Sequence, residues 1–427
     1  MPILRIPHFD LHLEYILFPP KLRWLYLSHM LRSVSMSMVT LFVPIFLFLR
    51  VDTIVSSIPI LSRMISSTGP EYYITAGLVI LAVYFGLSRA IALVSLFPMV
   101  GMMRKFGLHA GMVTGNIMLI VTYAMLFLAD LHPIFILFAA VFNGLELAAY
   151  WVPYYSIFST FAKLDRLGEE VSGLMMTEKL ARILSPLLGG IIATAFGFSV
   201  LYVVGVIIMI LAINAILMMK RIHISTKVEW KEFSAWMKKP GNHRVSIAMI
   251  GRLFEILALL SWPVFLYQIV RSVSVVGMVT SFAGLLSLMV MYFAGIWLAK
   301  HRGQKLFYFS GGILSMLWLL RLSVQTAYHA LAVDTVDRLF SALNAPIFEV
   351  LFLERSRIGR LFHFFVYREI VLSIAAMIFW FTVGVFALIG FGWHAVFILG
   401  AAGAIFTMLM PIQAHKKVVS QTDGIDG

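Results

Sequence analysis

Twelve apolar runs, most of about 20 residues or more, follow one another along this 427-residue chain, and nothing else in the sequence restricts its folding as strongly. A helix needs about 20 mostly apolar residues to cross a bilayer. In hydrocarbon the backbone N–H and C=O groups must find partners within the segment, so each run is expected to be a helix. The runs lie near 28–49, 73–102, 108–129, 133–160, 171–196 and 199–219, then near 245–270, 273–299, 306–327, 330–353, 364–389 and 394–412. Between the two sets lies the 25-residue stretch Lys220 to Arg244, with seven Lys or Arg against only Glu229 and Glu232. That division predicts residues 1–219 as one six-helix half, 220–244 as a central loop, 245–412 as a second half and 413–427 as a tail. Inside the loop, Val228, Phe233 and Trp236 with Lys231, Lys238 and Lys239 read either as a basic amphipathic segment for a lipid headgroup surface or as a solvated linker.

Composition agrees with an all-α integral membrane protein: 61% hydrophobic and 12% charged, against about 45–50% and about 25% in soluble domains. A net charge of +13 invites a nucleic-acid reading, but the basic residues fall in short gaps between apolar runs rather than on one soluble face. Topology accounts for them. With the N-terminus inside, the inside segments hold 22 Lys and Arg, whereas the outside gaps hold only Arg50, Arg63 and Arg271. The positive-inside rule therefore places both termini and the central loop in the cytoplasm. The absence of cysteine excludes disulfides, thiolate metal sites and thiol nucleophiles. The first 27 residues carry four prolines and two acids and no uninterrupted apolar core, so span 1 is expected to serve as its own insertion signal.

The two halves repeat. GMMRKFGLHAG follows span 2 and GIWLAKHRGQK follows span 8, which sets Arg104-Lys105-Phe106-Gly107 and Lys300-His301-Arg302-Gly303 196 residues apart. Span 4 carries Asn143, Glu146 and Pro153, and span 10 carries Asp337, Arg338, Asn344 and Pro346. Glu178 in span 5 stands opposite Glu369 in span 11. Six spans per half is an even number, so both halves have the same orientation, as parallel repeats of transporters do.

Two same-way six-helix halves, a basic loop between them and basic-Gly turns after spans 2 and 8 resemble the major facilitator superfamily over nearly the whole chain. Ser185-Pro186-Leu-Leu-Gly189-Gly190 looks like the Pro-x-x-Gly-Gly part of its antiporter motif, with Ser185 at the preceding glycine position. Gly107, Gly303 and Lys105 match its span 2–3 motif, while Arg104 and Lys300 occupy the aspartate position. The resemblance implies a secondary transporter in the cell membrane that carries a small-molecule substrate by alternating access, with antiport or efflux and a proton as coupling ion. A monomer in the bilayer is the expected form, with no nucleic-acid partner, no cofactor and no metal.

An unpaired charge at mid-membrane costs about 2.5–3.5 kcal/mol, so charged residues inside spans should face protein or a water-filled cavity. Asn143, Glu146, Tyr150 and Pro153 fall on one face of span 4, and Asp334, Asp337, Ser341 and Asn344 on one face of span 10. Arg252, Glu255 and Trp262 share a face of span 7, and Arg32 stands beside Ser28 and Ser35 on span 1. The first and fourth helices of each half line the cavity in the superfamily, so these stripes, with Arg338, resemble a substrate pathway. Alternatively Glu146, Glu255 and Asp337 merely satisfy arginines in the core, and the prolines merely kink their helices. Glu178 and Arg182, with Arg368 and Glu369, read as a cluster that holds the cytoplasmic ends together, and Gly189 and Gly190 as close helix packing. Glu146, the acid closest to the middle of its span on the pathway face, with an arginine such as Arg32 expected nearby, is the first candidate to carry a coupling proton. An embedded transferase needs a His or carboxylate base beside a substrate hydroxyl. The histidines, His29 among them, fall in gaps or near span ends, and no phosphate loop or metal spacing occurs, so no catalytic residue is expected. Lipid flipping by the same fold stays open beside solute transport.

Overall fold

The computed structural model describes residues 22–65, 71–162, 167–239, 241–298 and 304–411. Twelve helices occupy the twelve apolar runs. Spans 1 to 6 are Arg23–Leu49, Tyr72–Phe106, Leu108–Leu128, Ile134–Phe161, Leu167–Phe196 and Phe198–Leu217. Spans 7 to 12 are Asn242–Val270, Val273–Leu298, Gln304–Leu320, Ala327–Ser356, Leu361–Leu388 and Gly392–Thr407. Among the described residues eight helices are long and apolar enough to cross a membrane, and three shorter apolar helices lie in spans 5, 8 and 12. Span 10 belongs to neither group, because Asp334, Asp337, Arg338 and Glu349 interrupt its apolar sequence. The chain is a multi-pass membrane protein.

One span breaks internally and one ends early, each for a local reason. Span 1 breaks between Val39 and Val43, since Pro44 has no N–H to give the carbonyl of Thr40. Span 9 ends at Leu320 rather than near 327: Arg321–Ser323 tightens into a 3₁₀ turn, and the Thr326 hydroxyl then caps span 10 by accepting the N–H of His329 at 3.2 Å.

Packing repeats with an offset of six spans. Span 1 packs on spans 5 and 6, span 2 on span 4, and span 3 on spans 4 and 6; span 7 packs on spans 11 and 12, span 8 on span 10, and span 9 on spans 10 and 12. The halves join along two seams, span 2 with span 11 and span 5 with span 8. The second seam depends on small residues: a Cβ at Gly277 would stand 2.5 Å from the Pro186 carbonyl oxygen, and one at Gly190 3.1 Å from that of Val273. Such contact lets backbones approach where no side chain would fit.

Contacts join the two halves at both ends of the bundle. On the face that carries the central loop, Ser159 and Ser356 hydroxyls lie 3.3 Å apart and Arg357 Nη2 donates to the Ala162 carbonyl at 2.6 Å. On the opposite face Phe48 meets Tyr267 edge-on at 6.4 Å. Deeper in the span 2–11 seam, Phe85 stacks on Trp380 at 5.0 Å.

The central loop neither floats nor lies apolar-side down on lipid. Its helix, Trp230–Met237, turns Phe233 and Trp236 onto Tyr367 and Phe364 of span 11, while Trp230 reaches Phe97 of span 2. Arg360 donates to Glu232 at 3.1 Å, and the His363 ring N–H donates to the Lys227 carbonyl at 3.0 Å. The apolar face thus touches both halves: the loop holds a short amphipathic helix, as the sequence suggests, with Phe233 and Trp236 packed on protein. Gly107 closes the span 2–3 turn against the same loop. Its φ of 92° suits glycine, a Cβ there would stand 2.9 Å from the Ile222 carbonyl oxygen, and Leu108 N–H donates to that oxygen at 2.8 Å.

Candidate functional site

Helical spacing on span 1 puts His29 and Arg32 on one buried face, and span 4 opposes it with Glu146, Tyr150 and Tyr154. Arg32 Nη1 donates to Asn116 Oδ1 of span 3 at 2.7 Å, Nη2 donates to Glu146, and the guanidinium lies 3.7 Å above the Tyr150 ring. Arg32 and Glu146 are both wholly excluded from solvent. Away from water such a pair is retained only with good geometry and further hydrogen bonds, which Asn116 supplies to the cation. His29 extends the hub: Nδ1 is 3.2 Å from the Tyr150 hydroxyl, the ring stacks on Tyr154 at 4.3 Å, and Nε2 is 3.9 Å from Glu178 of span 5. Asn143, one turn before Glu146, is half-buried.

Charges continue across to the other half. Arg89 of span 2 interacts electrostatically with both Glu146 and Glu369. Arg368 pairs with its neighbour Glu369 and lies 4.5 Å above the Tyr155 ring of span 4. Glu349 of span 10 faces Arg368, Arg252 and Glu178. Glu178, Arg368 and Glu369 therefore join the same constellation as the span 4 stripe. The side chain of Arg182 lies outside the described ones, as do Lys300 and Gly303.

In the second half Arg252 Nη1 lies 3.6 Å from Glu255, which also accepts the Thr407 hydroxyl of span 12 at 2.8 Å. Asp334 accepts from Arg338 Nε at 2.9 Å. Asp337 faces Arg321 at 3.4 Å, and that guanidinium lies 3.7 Å above the Trp318 ring and 4.8 Å from Trp262. Asn344 turns to span 9 instead, donating to the Phe307 carbonyl and the Ser310 hydroxyl at 3.1 Å each, and so ties two helices of one half together. Arg104 and Lys105 end span 2 on the loop face, half-buried and exposed. Gly189 meets the Met38 carbonyl of span 1, where a Cβ would stand 2.5 Å away.

Sequence alone does not single out several members of the constellation. A span that starts near 28 leaves His29 at its end; the helix begins at Arg23, and His29 shares a face with Arg32 three residues on. Asn116 and Tyr155 are single polar residues in apolar helices, with no local signal to set them apart. Arg89, Arg321 and Glu349 are marked in the sequence only as charges inside apolar runs.

Among the described residues no group of three His, Asp or Glu is placed to hold a metal ion. No protein-family model and no curated protein matches the sequence. Solved structures match its shape. The human organic anion transporter aligns with a TM-score of 0.63 at 12% identity, over 92% of this chain and 100% of that one. The E. coli fucose:proton symporter aligns at 0.61 and 14% identity, over 90% and 97%, and a D-xylose-proton symporter at 0.61 and 12%, over 89% and 96%. At such identities the likeness is one of fold: this is the twelve-helix fold of major facilitator superfamily transporters.

Proposed function

We propose that this chain, which has the major facilitator fold, is a secondary transporter that moves a small polar solute by alternating access. One observation carries the reading: two six-helix halves meet along two seams, hold buried ion pairs, and touch through different contacts on the two faces. Rocking about the seams parts one set of contacts at a time, as in transporters built from such repeats. The residues taken as lining the pathway are Arg32, Asn143, Glu146 and Tyr150 on one side and Arg252, Glu255, Trp262, Asp334 and Asp337 on the other. The likeness in fold to sugar–proton symporters and to an organic anion transporter supports a small polar cargo. Backbone contact in the span 5–8 seam supports a solute path over a lipid-wide lateral groove.

The protein is placed in the cell membrane as a monomer, with the Lys220 to Arg244 loop and both termini cytoplasmic. An impermeant reagent applied outside should not label a cysteine introduced at Lys231; labelling there overturns the topology. Coupling to a proton is assigned first to Glu146, a wholly buried carboxylate of span 4 that accepts from Arg32 of span 1. Glu146→Gln keeps the shape and removes the titration. In proteoliposomes it should abolish the pH dependence of uptake while leaving exchange partly intact; an unchanged pH profile moves the coupling to Glu255, Asp334 or Asp337.

A further inference from the structure

Arg321 is the charged residue that the bundle explains least. It lies in the 3₁₀ turn that ends span 9, wholly excluded from solvent, with its guanidinium between the rings of Trp318 and Trp262. Asp337 Oδ1 is near enough to balance the charge at 3.4 Å, yet Nε, Nη1 and Nη2 all lack a hydrogen-bond acceptor. Trp262 Nε1 and Asp334 Oδ1 lack partners as well. Leaving a buried polar group unpaired costs about 1–3 kcal/mol, and more when it is charged. One charged side chain with three such nitrogens is therefore a large local deficit unless the site acquires an acceptor during its working cycle.

The geometry narrows that acceptor. Two indole rings lie over the guanidinium, and its rigid fork of donors matches a carboxylate with two parallel hydrogen bonds. Arg321 offers donors only, and a carboxylate meets two of them in parallel where a hydroxyl oxygen meets one, so a solute bearing hydroxyls alone is the poorer match. Asp334 and Asp337 already balance Arg338 and Arg321, which leaves no excess positive charge for a doubly charged anion such as phosphate.

We propose that Arg321, held between Trp262 and Trp318, binds the carboxylate of a small organic monocarboxylic acid, which replaces Asp337 as its partner. Asp337 then turns to Arg338, the adjacent residue, with which it already interacts. This deepens the transport reading and rests on it: Trp262 and Asp337 lie on spans 7 and 10, which that reading assigns to the pathway.

The test uses the purified full chain and thermal-shift titration with sodium benzoate, sodium lactate, D-xylose and inorganic phosphate. At least one carboxylate should raise the melting temperature saturably, because a ligand of the folded state stabilises it by mass action, while xylose and phosphate do not. Asp337→Asn removes the internal competitor and should tighten carboxylate binding by about tenfold or more, which is about 1.4 kcal/mol. Arg321→Gln should abolish it, and Trp262→Phe, which keeps a ring and loses the N–H, should weaken it severalfold. No carboxylate binding, binding of xylose or phosphate instead, or binding retained in Arg321→Gln overturns the proposal. If Arg321→Gln does not fold, unchanged affinity in both Asp337→Asn and Trp262→Phe overturns it equally. Distances between the halves separate the two readings. Halves that move while no carboxylate binds leave transport standing and sink this site, and a carboxylate that binds between immobile halves supports the site and sinks transport.

Discussion

Arg32 and Arg321 are both fully buried arginines beside a carboxylate on the fourth helix of their half, and they are held in opposite ways. Arg32 donates to Asn116 and Glu146 and stacks on Tyr150, so three helices are tied together through one side chain. Arg321 touches two indoles and faces Asp337 without forming a hydrogen bond. The same residue type in the same kind of bundle thus does different work according to whether its donors are engaged. Where they are, the residue is a brace whose loss leaves a charge stranded. Where they are not, it is a receptor for another group.

The contrast can be broken most forcefully by removing each arginine. Arg32→Met strands Glu146 without its cation, and breaking a buried pair from one side costs about 3–5 kcal/mol; a large drop in melting temperature and in folded yield is expected. Arg32→Met combined with Glu146→Leu should recover much of that loss, since an apolar pair in place of a buried ion pair is often neutral. Arg321→Met should cost less, about 1–3 kcal/mol, because Asp337 retains Arg338 nearby and no hydrogen bond is broken. Equal losses for the two single variants would remove the distinction. The asparagines sharpen it on a smaller scale. Asn116→Ala deprives a buried cation of an acceptor, a bond to charge that is worth about 1.5–3 kcal/mol, whereas Asn344→Ala removes two neutral bonds worth about 0.5–1.5 kcal/mol each. A melting shift for Asn116→Ala less than half that for Asn344→Ala would contradict the assignment of the first-half hub as the brace.

Hydropathy made the twelve helices legible within a few residues, because in lipid the backbone has few alternatives. What stayed hidden was non-local or turned on a single turn. Leu322 and Val324 continue the apolar run of span 9, so the tightening at Arg321 that swings its side chain between two tryptophans leaves no hydropathy signal. Periodicity put Glu146 and Tyr150 on one face of span 4. It could not select Asn116, 84 residues from Arg32 in sequence, as the third partner. The loop helix shows the reverse error. Its amphipathic pattern was plain, but the pattern is equally satisfied by lipid or by Tyr367 and Phe364, and only the tertiary structure distinguishes them.

The central claim, that two halves rock about a buried charged core, is tested most directly by distances across the two faces. The chain has no cysteine, so pairs can be placed at will: Leu49 with Arg271 on the face away from the loop, and Thr160 with Ile358 on the loop face, all four exposed. Spin labels at these positions, read in proteoliposomes with and without a bound solute and across pH, should show one pair separating as the other approaches. Distances that stay fixed on both faces under every condition would contradict alternating access and leave a static bundle.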